Sequence, residues 1–515
     1  MDGTGRSPFI TDVGVVDDRI ALIGDLRERD AISRIDCTGK TLAPGFIDVH
    51  SHSDELWLAL PRCDGKIAQG VTTEIGGNCG TSVAPLAGPA LERTARHARR
   101  VGIGVEWRSL DEFFGLVERN RVALNVATLV GLGTTRAMIA GDSERRLESG
   151  EMAAQARVVR EACEQGALGV SSGLIYPPSS YAGVEELVEM ASAARIAGSP
   201  RYASHVRNEG DELIAAIEEA LEIGRRAEVT VQCSHHKASG EKNWGKVHRT
   251  LGMIDAARAT GIQVYCDVYP YIASWTELAT ILPDDARFGG VDATLERLTD
   301  PQSATAIALY LNMKWGERWD RIMITELSSE KNADLAGMRM DEIARRWWLS
   351  PAAAAMRLLR EERLEVGAVF FTMNEDDVAT VLSAEFCCIG SDASIRALSG
   401  RTAHGVPHPR TFGTFPRIIG RFVRQRPTID LVEAVRRMTS LPASIFGLQD
   451  RGSIEIGKYA DLVVFDAETI RDTATYEQPY QFPIGIEHVY VNGRPVLQNG
   501  EFTRELPGRV LRNGR

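Results

Sequence analysis

From about residue 42 to residue 392 the chain alternates short apolar runs with longer stretches whose apolar residues recur every three or four positions. That alternation is what βα units impose on a sequence. Strand-like runs fall at LAPGFIDVHSH (42–52), TTEIGGNCG (72–80), NVATLVGLGT (125–134), ALGVSSGLIY (167–176), RYASHV (201–206), VTVQCSHH (229–236), IQVYCDVYPY (262–271) and FCCIGSDAS (386–394). Eight units are the number that closes a parallel barrel. Between them, DELIAAIEEALEIGRRA puts Leu213, Ile217 and Leu221 on one helical face, with Gly224 and the charged end permitting a stop. Length alone would suggest three domains, but a barrel with insertions absorbs most of 515 residues as one unit.

Two regions leave this rhythm. The first 40 residues, and the part from about 452, read as short strands between Asp and Gly turns (DVGVVDD, RIALIGDL; SIEIGKYADLVVFD, HVYVNGRPVL). We expect them to form one small β-domain from both ends of the chain, residues 1–41 and 443–515, around a barrel over 42–442. The other region, about 283–348, holds four of the eight tryptophans: Trp315, Trp319, Trp347 and Trp348. It reads either as a lid-like insertion over the barrel mouth or as a helical excursion packed outside for stability alone.

The balance of 59 Lys+Arg against 70 Asp+Glu, a net charge of −11, argues against nucleic acid as a partner. No run approaches the ~18 consecutive apolar residues of a spanning helix, and the start MDGTGRSPFI lacks a signal peptide's basic and apolar regions. The eight cysteines form no CxxC pair. Reduced thiols and a cytoplasmic location, without a membrane partner, are the expectation.

Catalytic groups of a parallel barrel come from the C-terminal ends of its strands. The first run ends His50-Ser51-His52, and strand period two puts both imidazoles on one face, the spacing of a metal clamp. Other runs end in Asn78-Cys79-Gly80, Ser204-His205, Ser234-His235-His236-Lys237 and Ser391-Asp392. Imidazoles, a thiolate and a carboxylate on one rim suit zinc. Singly, each residue has a plainer reading: a strand histidine is often a satisfied core group, and Cys79 alone an inert buried thiol. His235 and His236 cannot both point inward on a strand, and we assign His235 to the site and His236 to the wall.

The ordered set PGFIDVHSHSD, GGNCG, ASHVRNEG, SHHKASGEKNWGK, DVYPY, IGSDAS, HPRTFGTFPR and GSIEIGKYADLVVFD resembles the amidohydrolase superfamily, and within it the D-aminoacylases (N-acyl-D-amino-acid deacylases). The resemblance runs over nearly the whole chain. It implies a distorted (β/α)8 TIM-type barrel with a small β-sandwich domain from both termini. It implies a tightly held Zn2+ on Cys79, His205 and His235, and a second, weaker metal position on His50, His52 and Asp392. Many amidohydrolases bridge two metals with a carboxylated lysine on the fourth strand; ALGVSSGLIY has no lysine, and Cys79 is the substitute.

The implied reaction is hydrolysis of an N-acyl-D-amino acid, a small carboxylated amide. Asp392 would carry the proton from water to the leaving nitrogen. Lys237, Tyr269 and Arg410 are similar to the residues with which the family holds the α-carboxylate, and Tyr176-Pro177-Pro178 would form part of the pocket wall. Acidic-specific relatives place another arginine after the YPY motif, whereas SWTELATILP has no cation before Arg287. An uncharged or apolar D-side chain is the expectation, unless Arg287 or Arg396 reaches in from a loop. Family members also carry a strand before the segment that opens this sequence, so the β-domain is expected to lose stability before chemistry suffers. The alternatives are a D-dipeptidase or an amidase for another, including xenobiotic, carboxylated amide, a deaminase, and an inactive amidohydrolase-like binding protein. A homo-oligomer is compatible with this size.

Overall fold

The computed structural model describes residues 1–514. Strands β1 (Asp12–Val16) and β2 (Arg19–Gly24) form a two-stranded antiparallel hairpin. The run expected as one strand over 42–52 is two. β3 (Thr41–Pro44) pairs antiparallel with a C-terminal strand, while β4 (Phe46–Asp48) enters the barrel after Gly45. No Cβ fits at Gly45, because it would stand 2.2 Å from Thr72. The chain can therefore change sheets there in a single residue.

The barrel continues with β5 (Val71–Gly76), β6 (Asn125–Thr128), β7 (Val130–Gly131), β8 (Val170–Gly173), β9 (Arg201–His205), β10 (Thr230–Cys233) and β11 (Val264–Val268). Parallel ladders run β4-β5-β6 and β7-β8-β9-β10-β11, and β11 then pairs with the last barrel strand, β15 (Cys387–Ile389). Only Leu129 separates β6 from β7, so they count as one station. The ring closes where Ser51 bridges Ala393 in parallel. Each of the eight expected runs supplies one station, in order. Strands covered on both faces have no solvent side to alternate towards, and β4, β5 and β8 are buried at every position. The outer helices show the expected stripe: in Leu213–Ala227, Leu213, Ala216, Ile217, Ala220 and Ile223 are buried. That helix does not stop at Gly224. It runs to Ala227, and Gly224 serves packing instead, since a Cβ there would lie 2.2 Å from Val231.

Between β11 and β15 the chain builds an insertion with its own sheet: β12 (Ser274–Glu277), β13 (Ile322–Leu327) and β14 (Val366–Phe370), antiparallel in the order β12-β14-β13. Its helices, among them Pro301–Trp315 and Pro351–Glu361, close over a separate apolar core including Leu298, Leu311, Trp319, Ile343, Leu359 and Phe370. The insertion is wider than the 283–348 read from the sequence, because the sheet recruits strands from both flanks. Trp315 and Trp319 lie inside it with ring centroids 6.1 Å apart, whereas Trp348 is 93% exposed. Tyr176 on the barrel joins its hydroxyl to that of Thr276 on β12 at 2.9 Å, so the insertion abuts the C-terminal side of the barrel.

β15 (Cys387–Ile389) leads back to the C-terminal strands β16 (Leu462–Phe465), β17 (Ile486–Val491), β18 (Arg494–Gln498) and β19 (Glu501–Phe502). With β3 they form the antiparallel sheet β19-β18-β17-β16-β3. Ile20 of the hairpin packs with Ile454, Ala460 and Leu462, completing a small sandwich from both ends of the chain. Val463, Phe465 and Val489 on the opposite face join Phe46 in the main core. Among the described residues, no helix is long and apolar enough to cross a membrane.

Candidate active site and metal centre

The side chains at the C-terminal strand ends converge. Cys79 Sγ lies 3.3 Å from His50 Nε2 and 3.5 Å from His235 Nε2. Asp392 Oδ1 lies 3.0 Å from His52 Nε2 and 3.5 Å from His50 Nε2. The donor atoms of His50, Cys79, His235 and Asp392 all fall within 4.8 Å of one another. His205 stands edge-on to His235, ring centroids 4.4 Å apart, and both its ring nitrogens are buried without a hydrogen-bond partner. Buried imidazole nitrogens are normally paired. An orphaned histidine beside a thiol, two imidazoles and a carboxylate is the donor set of a zinc site, and the residues fit that ion.

Backbone conformation aims these groups. Cys79 (φ 51°), His235 (φ 37°) and Asp392 (φ 51°) all adopt the left-handed region that non-glycine residues rarely enter. Such residues persist where the surroundings over-determine them, and they gather at functional sites. His235 thus turns inward because β10 has already ended at Cys233, not through strand alternation. His236 faces away, its Nε2 2.8 Å from Thr250 Oγ1. Cys79 lies against the end of β8: a Cβ on Gly173 would sit 2.1 Å from the Cys79 carbonyl oxygen, and one on Gly80 2.6 Å from the Gly173 nitrogen. At Gly173 the loop that carries Cys79 occupies the space a side chain would fill.

Charge coupling across the site is strong. Burial raises the Cys79 thiol, but His50 and His235 outweigh it and hold the thiol well below its ordinary range. Asp392 is likewise raised by burial and pulled well below the usual carboxylate range by Arg410 and the histidines. His205 is lowered, by burial and then by His235, which favours the neutral ring a metal ligand requires.

The amidohydrolase family profile matches residues 34–497. An N-acyl-D-glutamate deacylase from Alcaligenes xylosoxydans xylosoxydans is 38% identical over 99% of this chain and 94% of its own length. A D-aminoacylase from the same organism is 36% identical over 99% of this chain and 95% of its own. This chain is an amidohydrolase of the D-aminoacylase family. Among solved structures, an N-acyl-D-glutamate deacylase from Bordetella bronchiseptica, complexed with zinc and a phosphonate mimic of the tetrahedral intermediate, superposes with a TM-score of 0.83. It is 36% identical, over 99% of this chain and 97% of its own.

Beside the converging donor set of this amidohydrolase, Lys237, Tyr269 and Arg410 come together. Two cations approach the Tyr269 ring, Lys237 Nζ 5.4 Å and the Arg410 guanidinium 4.5 Å from its centroid. Arg410 is 2% exposed, and its Nη1 lies 2.8 Å from Asp392 Oδ2 in a buried ion pair. Tyr176 rests on the edge of His205, centroids 5.1 Å apart. Arg287 donates to the Ile175 carbonyl and pairs with Asp284, and Arg396 pairs with Glu326. Arg396 is thus engaged outside the metal cluster, while Arg287 lies against the residue before Tyr176 with its Nε buried and unpartnered.

Two residues of the site escaped the sequence reading. Glu209 pairs with Lys237 Nζ, and its Oε1 lies 3.0 Å from His235 Nδ1. Burial raises its carboxyl, but Lys237 and the two histidines pull it well below the carboxylate range. Asp267, buried in β11, accepts from the His235 backbone N–H at 2.9 Å and lies 3.2 Å from His50 Nδ1. It therefore orients two of the converging imidazoles. A charged residue inside the apolar run IQVYCDVYPY was the signal for Asp267. Glu209 lies in the loop after a strand end, where the strand-end rule does not look.

Proposed function

We propose that this amidohydrolase is a zinc-dependent N-acyl-D-amino-acid deacylase, releasing a carboxylate and a free D-amino acid. The observation that carries the reading is the convergence of the Cys79–His235–Asp392 cluster with Lys237, Tyr269 and Arg410. Cys79, His205 and His235 would hold the tight zinc, and His50, His52 and Asp392 a second, weaker metal. A zinc ion there would polarise the amide carbonyl and make bound water more acidic. Asp392, kept ionised by Arg410 and the histidines, accepts the water proton and returns it to the leaving nitrogen. Lys237, Arg410 and the Tyr269 hydroxyl hold the α-carboxylate. A fixed carboxylate, a fixed carbonyl and the wall at Tyr176 give three points that admit only one configuration at Cα.

The engagement of Arg396 supports an uncharged or apolar D-side chain, in contrast to the acidic amino acid in the name of the Alcaligenes relative. Eight free thiols support a reducing, cytoplasmic setting. D-dipeptides and other carboxylated amides present the same clamp points and form the second reading. Amine release from N-acetyl-D-Met, -Leu, -Phe, -Glu and -Asp, with D-dipeptides alongside, tests both. Faster turnover of Met, Leu and Phe is expected; preference for Glu or Asp would contradict the side-chain assignment, and preference for dipeptides the acyl assignment.

A further inference from the structure

The first and last barrel strands share no ladder. β4 and β15 meet through the Ser51–Ala393 bridge, an Asp392 N–H to His50 carbonyl bond of 2.8 Å and a long His52 N–H to Ala393 carbonyl bond of 3.4 Å. The groups that must be matched across this seam are His50 and His52 on one side and Asp392 on the other. Beneath it lie three charged side chains with no exposed surface: Asp48, Lys66 and Glu74.

Lys66 Nζ is 2.6 Å from Asp48 Oδ2 and 3.0 Å from Glu74 Oε1. Its remaining bonds go to the two residues that flank Asp392, the Ser391 hydroxyl at 2.7 Å and the Ala393 carbonyl at 3.0 Å. Asp48 Oδ1 accepts the Ser391 N–H at 2.9 Å and the His50 N–H at 3.3 Å. Glu74 accepts the hydroxyls of Ser51 and Ser53 and, at 2.8 Å, the indole N–H of Trp57. Apart from the Trp57 indole, the contacts lead to one side of the seam or the other. Buried ion networks add little stability over apolar packing, and their best-attested use is fixing register.

We propose that the Asp48–Lys66–Glu74 triad is a positioning device that sets the register of the His50–His52 segment against Asp392. The proposal rests on the reading of Asp392 as proton carrier. Asp392 has a left-handed backbone, and Lys66 clamps the residues on both sides of it. A misplacement of about 1 Å at such a group costs on the order of 100-fold in rate. The triad therefore acts on turnover rather than on substrate affinity.

The test uses the full-length, zinc-loaded enzyme. Ser391→Ala removes one clamp while leaving all three charges paired. The expected result is a fall in kcat of about tenfold or more, with KM within about twofold, zinc content and melting temperature unchanged, and recovery in Ser391→Thr. Lys66→Met combined with Asp48→Asn keeps the triad's net charge and should lower kcat further. If kcat in Ser391→Ala and the double variant stays within about twofold while Asp392→Asn is inactive, the proposal is overturned. Loss of zinc in proportion to kcat also overturns it, by making the triad merely structural. Activity surviving in Asp392→Asn removes the proton-carrier reading, and the proposal falls with it.

Discussion

Replacing Glu209 with glutamine keeps the shape of the side chain and removes its charge. Glu209 is the anion shared by Lys237 Nζ and His235 Nδ1, with 17% of its side chain exposed. Hydrogen bonds to charged groups are worth about 1.5–3 kcal/mol against about 0.5–1.5 for neutral ones, so the Lys237 bond and the 3.0 Å ion-pair contact with His235 Nδ1 each lose about 1 kcal/mol. The sum, about 2 kcal/mol, corresponds to ~30-fold in kcat/KM, where 1.36 kcal/mol is tenfold. Glu209→Ala goes further. It leaves the Lys237 ammonium, 4% exposed, without a counter-charge, a loss of about 3–5 kcal/mol and upwards of ~100-fold. The assay is steady-state amine release with the preferred N-acyl-D-amino acid, with zinc measured on the same preparations. The glutamine variant should show both a raised KM, from a looser Lys237, and a lowered kcat, from a looser His235. Activity of Glu209→Gln within about threefold of the parent would refute the shared-anion argument.

Gly173→Ala should displace the Cys79 backbone, since the added Cβ would meet its carbonyl oxygen at 2.1 Å; zinc content and activity should fall together, and full zinc occupancy would contradict the contact. Leu359→Ala removes a fully buried side chain from the insertion's own core and should cost about 2–5 kcal/mol there. Proteolysis should then cut between residues 274 and 370 before the barrel is attacked. Glu361 is raised by burial, but Lys331, Arg357 and Asn332 outweigh this and bring it from 4.5 to about 2. Because the folded value is depressed, its stabilisation is present above pH ~4.5 and lost as pH falls through about 2. Its exposure limits the effect to less than ~1 kcal/mol. The stability difference between the parent and Glu361→Gln, measured by denaturant titration, should shrink across that window and not grow.

The barrel was legible because strands covered on both faces leave continuous apolar runs, and each of the eight runs proved to contain a station. What escaped was set by contacts between distant residues. The change of sheet at Gly45 depends on Thr72, and the role of Gly224 on Val231; neither partner is visible from local periodicity. The insertion's strands β12, β13 and β14 are separated by helices of uneven length and pair antiparallel out of chain order, so no βα rhythm repeats through them. At the site, the rule that catalytic groups sit at strand ends brought out the histidines, Cys79 and Asp392. Lys66 sits in the short helix Asp64–Ile67 beneath the rim, and its local sequence reads as an ordinary polar turn. Only the fold shows that its ammonium is sealed between Asp48 and Glu74. Glu209 and Asp267 escaped for the same reason, since both act through other residues of the site.

The central claim is that Asp392 and the metal-facing cluster hydrolyse the amide of one enantiomer. The direct measurement is amine release from paired N-acetyl-D- and N-acetyl-L-amino acids by the zinc-loaded protein, with Asp392→Ala as control. The account predicts turnover of the D-series alone, reduced by at least ~100-fold in the control. Comparable turnover of the L-series, or D-turnover undiminished in Asp392→Ala, would contradict it.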